Sequence, residues 1–105
     1  MSYNVLPLPP FDRQLKRLSK KYPSLKQEYF ELIEENPEQG VSLRDNCYKI
    51  RLSIASKNKG KSGGARVIVN IVLAENNVYL LAIYDKSEKE SLSDKELNEL
   101  LKFIP

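Results

Sequence analysis

Several residue types that carry chemistry are scarce or absent in this sequence. It contains no histidine and no tryptophan, and Cys47 is its single cysteine. One cysteine excludes an internal disulfide, and without histidine the usual zinc sites cannot be built. We therefore expect neither a metal nor another cofactor. Cys47 is expected to be a small buried hydrophobic residue, since no histidine is present to activate it as a nucleophile.

Long apolar segments are also missing. No apolar run approaches the ~20 residues that a transmembrane helix needs, and the N-terminus lacks the charged start and long apolar core of a signal peptide. The 105 residues are 41% hydrophobic and 30% charged, a balance typical of soluble globular proteins. We expect a single cytoplasmic domain over residues 1–105, with one core, one surface site and no membrane contact.

Positive charge, by contrast, is concentrated in the middle of the chain. The net charge of the whole sequence is only +3, but the segment from Arg44 to Arg66 contains seven basic residues and a single acidic one, Asp45. Concentrated lysine and arginine attract polyanions, of which phosphate backbones are the commonest. Solvated loops carry similar charge runs. Charge alone therefore leaves two hypotheses, a nucleic-acid contact and a plain loop.

The first part of the chain predicts an edge strand and two helices. Tyr3 to Leu8 is a short apolar stretch closed by prolines, which cannot donate hydrogen bonds in a central ladder. Basic residues then surround three apolar ones at helical spacing, Phe11, Leu15 and Leu18. Pro23 ends this helix, and Ser24 can cap a second one that stops before Gly40. The two helices would form a hairpin.

The second part predicts strands and a last helix. Tyr48 to Ile54 alternates apolar with polar residues, which is the period of a half-buried strand. Ala65 to Leu73 and Val78 to Tyr84 are rich in apolar and β-branched residues, and the short link between them indicates a β-hairpin. Ser93 and Glu96 form a capping box for the last helix. The order β, α, α, β, β, β, α predicts an α+β domain with a small antiparallel sheet packed by the helical hairpin.

The passage from Ser56 to Gly64 is rich in lysine and glycine, and three interpretations compete for it. One is a P-loop, because Ala55 to Ser62 ends in Gly-Lys-Ser and Asp85 could then bind magnesium. The glycines and the strand that follow contradict the helix that a P-loop needs. Another is a hairpin connection kept soluble by lysines. It does not explain the cations on the flanking strands, which favour the third interpretation, an RNA-cleavage site.

Here the sequence resembles a known family. Cys47-Tyr48-Lys49-Ile50-Arg51-Leu52 is similar to a strand signature of RelE-type toxins. Lys57 to Ile68, together with Tyr79 to Lys86, is similar to the HigB-type branch. The resemblance spans most of the chain and implies the RelE/ParE fold, a compact sheet packed by two N-terminal helices. It also implies the toxin of a type II toxin–antitoxin system.

The activity that the resemblance implies is mRNA cleavage in the A site of the ribosome, which inhibits translation. The nucleophile in such enzymes is the 2′-hydroxyl of the RNA, so a metal-independent endoribonuclease is expected. The protein would remove one proton, stabilise a phosphorane and protonate the departing 5′-oxygen. A cognate antitoxin is implied as partner, with acidic residues that would cover the basic face or displace the C-terminal helix.

Site residues follow from the same resemblance. Lys49 and Arg51 occupy the two basic positions of the first catalytic strand, and Arg66 falls on the arginine that grips the scissile phosphate. Lys86 lies by the final basic cluster, where a proton donor to the leaving oxygen is expected. Tyr84 would bond phosphate, stack on a base or relay a proton, with a core aromatic as the alternative. The loop lysines would contact RNA: Lys57, Lys59 and Lys61.

Two positions depart from the pattern. Arg51 stands where the RelE-type sequence has lysine, and a pKa above ~12 makes arginine a poor general base, so Lys49 or a loop lysine would have to serve. Ser87 replaces an arginine that acts as the acid in some relatives, which leaves Lys86. The fold also includes ParE-type toxins that bind DNA gyrase without cutting RNA. A noncatalytic toxin and a generic RNA-binding domain are therefore the alternative functions.

Overall fold

Two long strands form the centre of the sheet. In the computed structural model of the chain, which describes residues 3–23, 25, 40–52, 64–89 and 91–105, β4 runs over Ala65–Val72 and β5 over Asn77–Asp85. They pair antiparallel, which confirms the predicted hairpin. Almost every residue of both strands is buried. Burial on both faces explains their near-continuous apolar sequence.

Three further strands complete a five-stranded sheet. They are β1 (Asn4–Pro7), β2 (Val41–Ser42) and β3 (Cys47–Leu52), and the spatial order is β1-β5-β4-β3-β2. As predicted, β1 is an edge strand, but it pairs with β5 in parallel, so the expected antiparallel sheet is antiparallel only from β5 to β2. A sequence pattern within one strand does not specify the direction of a neighbour that is distant in the chain. The additional strand β2 is too short to show a period.

Both α-helices of the described residues were predicted from the sequence, and the last one ends at Leu101. Helix α1 (Pro9–Lys21) has prolines in its first turn, where their missing N–H groups would be unpaired in any case. Helix α2 (Asp94–Leu101) opens with the predicted capping box of Ser93 and Glu96. No helix of the described residues is long and apolar enough to cross a membrane. The predicted second helix of the N-terminal hairpin lies outside the described residues, except for the buried Leu25.

The sheet separates two apolar clusters. One lies against α1 and includes the predicted stripe Phe11, Leu15 and Leu18. The other lies against α2 and contains the fully buried Cys47, as expected for a small hydrophobic residue, together with Leu97. Alternation along each strand therefore sends side chains either toward α1 or toward α2. The basic residues of β3 and β4 lie on the α2 side.

Candidate active site

Three of the predicted site residues lie side by side across the sheet. Arg51 of β3 is directly opposite Arg66 of β4, and Arg66 is directly opposite Tyr84 of β5. Such cross-strand neighbours have Cβ atoms about 4.5–5.5 Å apart. We call Arg51, Arg66 and Tyr84 the cross-strand row. Their neighbours along the strands pack toward α1, so the row faces the α2 side.

A β-bulge in β5 brings Tyr84 into this row. Ile68 pairs with Ala82 and Val69 with Leu80, so Leu81 is an extra residue in the ladder. Before the bulge Leu80 packs toward α1, whereas after it Ala82 and Tyr84 pack toward α2. Without the extra residue, strict alternation would have turned Tyr84 away from Arg66. Bulges commonly re-aim side chains next to active sites in this way.

Arg66 is a buried cation that faces a second cation. Only 3% of its surface is exposed, and its Nη1 donates a hydrogen bond to the carbonyl oxygen of Ala65 at 3.0 Å. Burial lowers the pKa of Arg66 below its ordinary value, and the charge of Arg51 lowers it further, while Tyr84 acts in the opposite direction. Like charges opposite each other destabilise a sheet. An anion bound between the two guanidinium groups would reverse that repulsion.

Tyr84 carries a hydroxyl that no described residue satisfies. The side chain is buried, and its Oη is one of two buried side-chain polar atoms without a hydrogen-bond partner among the described residues. Burial raises the pKa of Tyr84 above 10.0, and the charge of Arg66 partly offsets the rise. The phenol therefore stays protonated at neutral pH. It lies in the wall of a groove of about 970 Å³ between α1 and α2.

Lys49 lies on the same face as the row, one step along the sheet. It is paired with Ile68, two residues from the Arg51–Arg66 pair. Lys49 is partly buried and lines a cleft of about 200 Å³ between the sheet and the start of α2. No hydrogen bond or ion pair engages its ammonium group within the described part of the chain. Lys49 is thus an accessible amine near the two arginines.

Lys86 follows directly after β5, and Ser87 is already engaged elsewhere. The Lys86 backbone N–H donates to the Gly64 carbonyl at 3.1 Å, while its side chain is exposed. The hydroxyl and the backbone N–H of Ser87 both donate to Oδ1 of Asp85 at 2.9 Å. Ser87 therefore supports the turn. Lys86 is the first cation beyond the Tyr84 end of the row.

The remaining predicted features have simpler outcomes. The loop lysines Lys57, Lys59 and Lys61 lie outside the described residues, as does the segment that resembles a P-loop. Asp85 is fully buried and bonded to protein groups, which speaks against the magnesium ligand that the P-loop interpretation required. No cluster of three or more metal-binding side chains was found among the described residues. The pKa of the Cys47 thiol is raised, first by burial.

Sequence reasoning missed two residues of this region. Tyr22, at the end of α1, donates a hydrogen bond from its hydroxyl to Oδ2 of Asp85 at 2.9 Å. Arg44 binds the carboxylate and backbone oxygen of Asp94, as well as Asn98, and so ties the β2–β3 turn to α2. Both contacts join residues 50 or more positions apart, and no local pattern marks them.

Chemically, the row and its two neighbouring lysines form a site for an anion. Two guanidinium groups can hold phosphate oxygens in a fixed, bidentate geometry. The protonated phenol of Tyr84 and the exposed ammonium group of Lys86 lie at one end of the row. The amine of Lys49 lies next to the row, two residues from Arg51 along β3. Directed positive charge in a partly dry site stabilises developing negative charge far better than it would in water.

Comparison with known proteins assigns the chain to a family. The model of the RelE toxin of the RelE/RelB toxin–antitoxin system matches residues 12–104. The chain belongs to the RelE toxin family. The matched region contains every element described above except β1 and the first residues of α1. The RelE-like assignment predicted from the sequence is therefore confirmed, while the HigB-type branch stays a prediction.

Solved structures show the same fold at low sequence identity. An arginine-to-alanine double mutant of Escherichia coli toxin RelE in the free state is 18% identical, with a TM-score of 0.64 and full coverage of both chains. In complex with a peptide of the antitoxin RelB, that mutant is 19% identical, with a TM-score of 0.57 and full coverage of both chains. A chain of the toxin–antitoxin complex RelBE2 from Mycobacterium tuberculosis is 19% identical, with a TM-score of 0.62, covering 81% of this chain and 99% of that one. The α+β fold of this RelE-family chain is thus confirmed.

Proposed function

We propose that this RelE-family toxin is a metal-independent endoribonuclease that cleaves mRNA in the A site of the ribosome and so inhibits translation. Its site consists of the cross-strand row with Lys49 and Lys86, and the loop lysines Lys57, Lys59 and Lys61 would contact the RNA backbone. The single observation that carries the proposal is the pairing of the buried Arg66 with both Arg51 and Tyr84.

Within the described part of the chain, that pairing is unfavourable on two counts. Burial and the opposed charge of Arg51 both disfavour the charged form of Arg66, and the buried hydroxyl of Tyr84 has no hydrogen-bond partner among these residues. Local features that violate the rules of stability are expected at functional sites. A phosphate group at the row would relieve both costs, because it offers negative charge to the arginines and an acceptor oxygen to the phenol. The substrate class is therefore a phosphodiester.

The reaction divides among these residues as follows. Lys49, in its neutral amine form, takes the proton from the 2′-hydroxyl, because a lysine gives up its own proton far more readily than an arginine. The 2′-oxygen then bonds to phosphorus, and Arg51 and Arg66 stabilise the negative charge on its oxygens. The bond from phosphorus to the 5′-oxygen breaks, and that oxygen receives a proton from Tyr84 or Lys86. The products are a 2′,3′-cyclic phosphate and a 5′-hydroxyl.

We also propose a cognate antitoxin as the protein partner. Two of the structural relatives were solved with antitoxin chains, the RelBE2 complex and the RelE mutant with its RelB peptide. The cations of the row would attract an acidic segment of such a partner, because opposite potentials speed and orient association. An antitoxin bound over the row would exclude RNA from it.

The proposal is tested with purified protein, programmed ribosomes and a short end-labelled mRNA. We expect cleavage on the ribosome, unchanged by a chelator, with products that carry a cyclic phosphate at the 3′ end. Arg66→Ala should lower the rate by roughly a hundredfold or more, the loss typical of removing one directed donor. Lys16→Ala, which removes an exposed charge of α1 outside the row and outside the groove beside Tyr84, is the matched control. Full activity of Arg66→Ala would refute the proposed site.

A further inference from the structure

Asp85 is a fully buried carboxylate that the proposed chemistry does not use. Its Oδ2 accepts a hydrogen bond from the hydroxyl of Tyr22 at 2.9 Å, and its Oδ1 accepts two from Ser87 at 2.9 Å each. Tyr22 is the C-cap residue of α1, whereas Asp85 ends β5. A buried carboxylate is costly unless its oxygens are bonded. These bonds join the end of a helix to the end of the central strand.

The backbone of the turn after β5 is held at successive residues. The N–H groups of Glu88 and Lys89 donate to the Asp85 carbonyl at 3.0 and 3.1 Å. The N–H of Lys86 donates to the carbonyl of Gly64 at 3.1 Å, at the start of the neighbouring strand. Asp85 therefore anchors the turn twice, through its carboxylate and through its carbonyl.

The charged side chains of the same turn are paired, with one exception. Glu88 forms a two-pronged pair with Arg17 of α1 at 3.1 Å, and Lys89 pairs with Glu96 of α2. Lys86 is exposed and takes part in no ion pair or side-chain hydrogen bond within the described part of the chain. Its backbone is thus fixed, while its ammonium group is left available.

We infer that Asp85 is a positioning residue, which holds the turn so that Lys86 presents its ammonium group at the Tyr84 end of the cross-strand row. Asp85 itself packs toward α1, on the opposite side of the sheet from the row, and does not touch the substrate. It acts through the main chain of Lys86. The inference rests on the proposed function, because it assigns Lys86 to the transition state of that cleavage reaction. Groups held in place before the reaction lower its barrier most effectively.

The test is a set of steady-state cleavage rates on programmed ribosomes, with kcat and KM determined separately. Asp85→Ala should lower kcat by about tenfold or more with little change in KM, since small misplacements of a reacting group are costly. Lys86→Ala should lower kcat to a similar degree, and the double variant should be no slower than Lys86→Ala alone. Asp85→Asn keeps the shape and the acceptor oxygen for Ser87, so it should retain most of the activity.

Glu88→Gln is the matched control, since it removes an exposed ion pair of the same turn and should leave kcat within about twofold. Unfolding curves of every variant show whether the protein is folded. If Asp85→Ala does not fold, Ser87→Ala replaces it, because it removes one donor to the Asp85 carboxylate. Its kcat should fall less than that of Asp85→Ala, and combining it with Lys86→Ala should again lower kcat no further than Lys86→Ala alone.

Two results would refute the role of Asp85 and leave the proposed function intact. One is a wild-type kcat in Asp85→Ala, and the other is a double variant whose loss of kcat equals the product of the two single losses. The absence of any cleavage by the wild type would refute the proposed function, and this inference with it.

Discussion

The unsatisfied hydroxyl of Tyr84 gives a prediction in which stability and activity move in opposite directions. A buried polar group without a hydrogen bond costs about 1–3 kcal/mol, and Tyr84 has such a group among the described residues. Tyr84→Phe removes the hydroxyl and keeps the ring. We expect the free energy of unfolding to rise by about 1 kcal/mol, or about 4 °C in Tm for a domain of this size. Cleavage should become slower, because the phenol no longer reaches the phosphate or the leaving oxygen.

Tyr22→Phe is the matched control, because it is the same substitution at a tyrosine whose hydroxyl is used. The Tyr22 hydroxyl donates to the buried carboxylate of Asp85 at 2.9 Å. Hydrogen bonds to charged groups contribute about 1.5–3 kcal/mol, so this variant should lose roughly 6–12 °C in Tm. The two variants should therefore shift in opposite directions from the wild type.

Urea unfolding followed by far-UV circular dichroism measures both effects without tryptophan, and the ribosomal cleavage assay measures activity. A Tyr84→Phe protein that is less stable than the wild type would show that the hydroxyl is satisfied in solution. A more stable variant with unchanged cleavage would remove Tyr84 from the site and leave it as a core aromatic. The first result would refute the unsatisfied hydroxyl, and the second would refute the role of Tyr84 in cleavage.

Three further changes test the surroundings of the row. The ionisation of Tyr84 should have its midpoint above pH 10.0, measured as the difference in ultraviolet absorbance between the wild type and Tyr84→Phe. The folded state therefore loses stability as the pH rises through that midpoint. Arg66→Ala should move the midpoint higher still by removing a positive charge, and a lower midpoint would contradict the assigned coupling. Gly40→Ala would place a Cβ 2.2 Å from the carbonyl oxygen of Lys49, so it should lower the free energy of unfolding in urea by about 1–3 kcal/mol and slow cleavage. Wild-type values of both quantities would show that β2 is easily displaced. Ser93→Ala deletes the cap of α2 and should lower the free energy of unfolding by about 1 kcal/mol. Relative to the wild type, amide exchange should accelerate more in α2 than in the sheet, and an equal increase throughout would argue against a local role.

Much of the fold was predictable because its determinants are local. Helix α1 is specified by the helical spacing of Phe11, Leu15 and Leu18, and α2 by the capping box of Ser93 and Glu96. The central hairpin is specified by two apolar runs around a short link. The parallel direction of β1 and the existence of β2 were not predictable, because each depends on pairing with residues far away in the chain.

The candidate site was predictable as a set of residues but not as an arrangement. Resemblance to the family named Arg51, Arg66 and Tyr84, yet nothing in the sequence placed them in one row. That placement depends on the register of β3 against β4 and on the extra residue Leu81 in β5. The bond between Tyr22 and Asp85 spans 63 positions and left no local signal. Contacts of this kind come from packing, which sequence periodicity does not encode.

The central claim is that Arg66 serves the cleavage of translated mRNA. The most direct test is induced expression in a bacterial host, with mapping of mRNA 5′ ends for the wild type, Arg66→Ala and the control Lys16→Ala at matched protein levels. We expect new 5′ ends within translated codons for the wild type and for Lys16→Ala, and their loss in Arg66→Ala. The same ends in Arg66→Ala, or growth arrest by the wild type without any new ends, would contradict it.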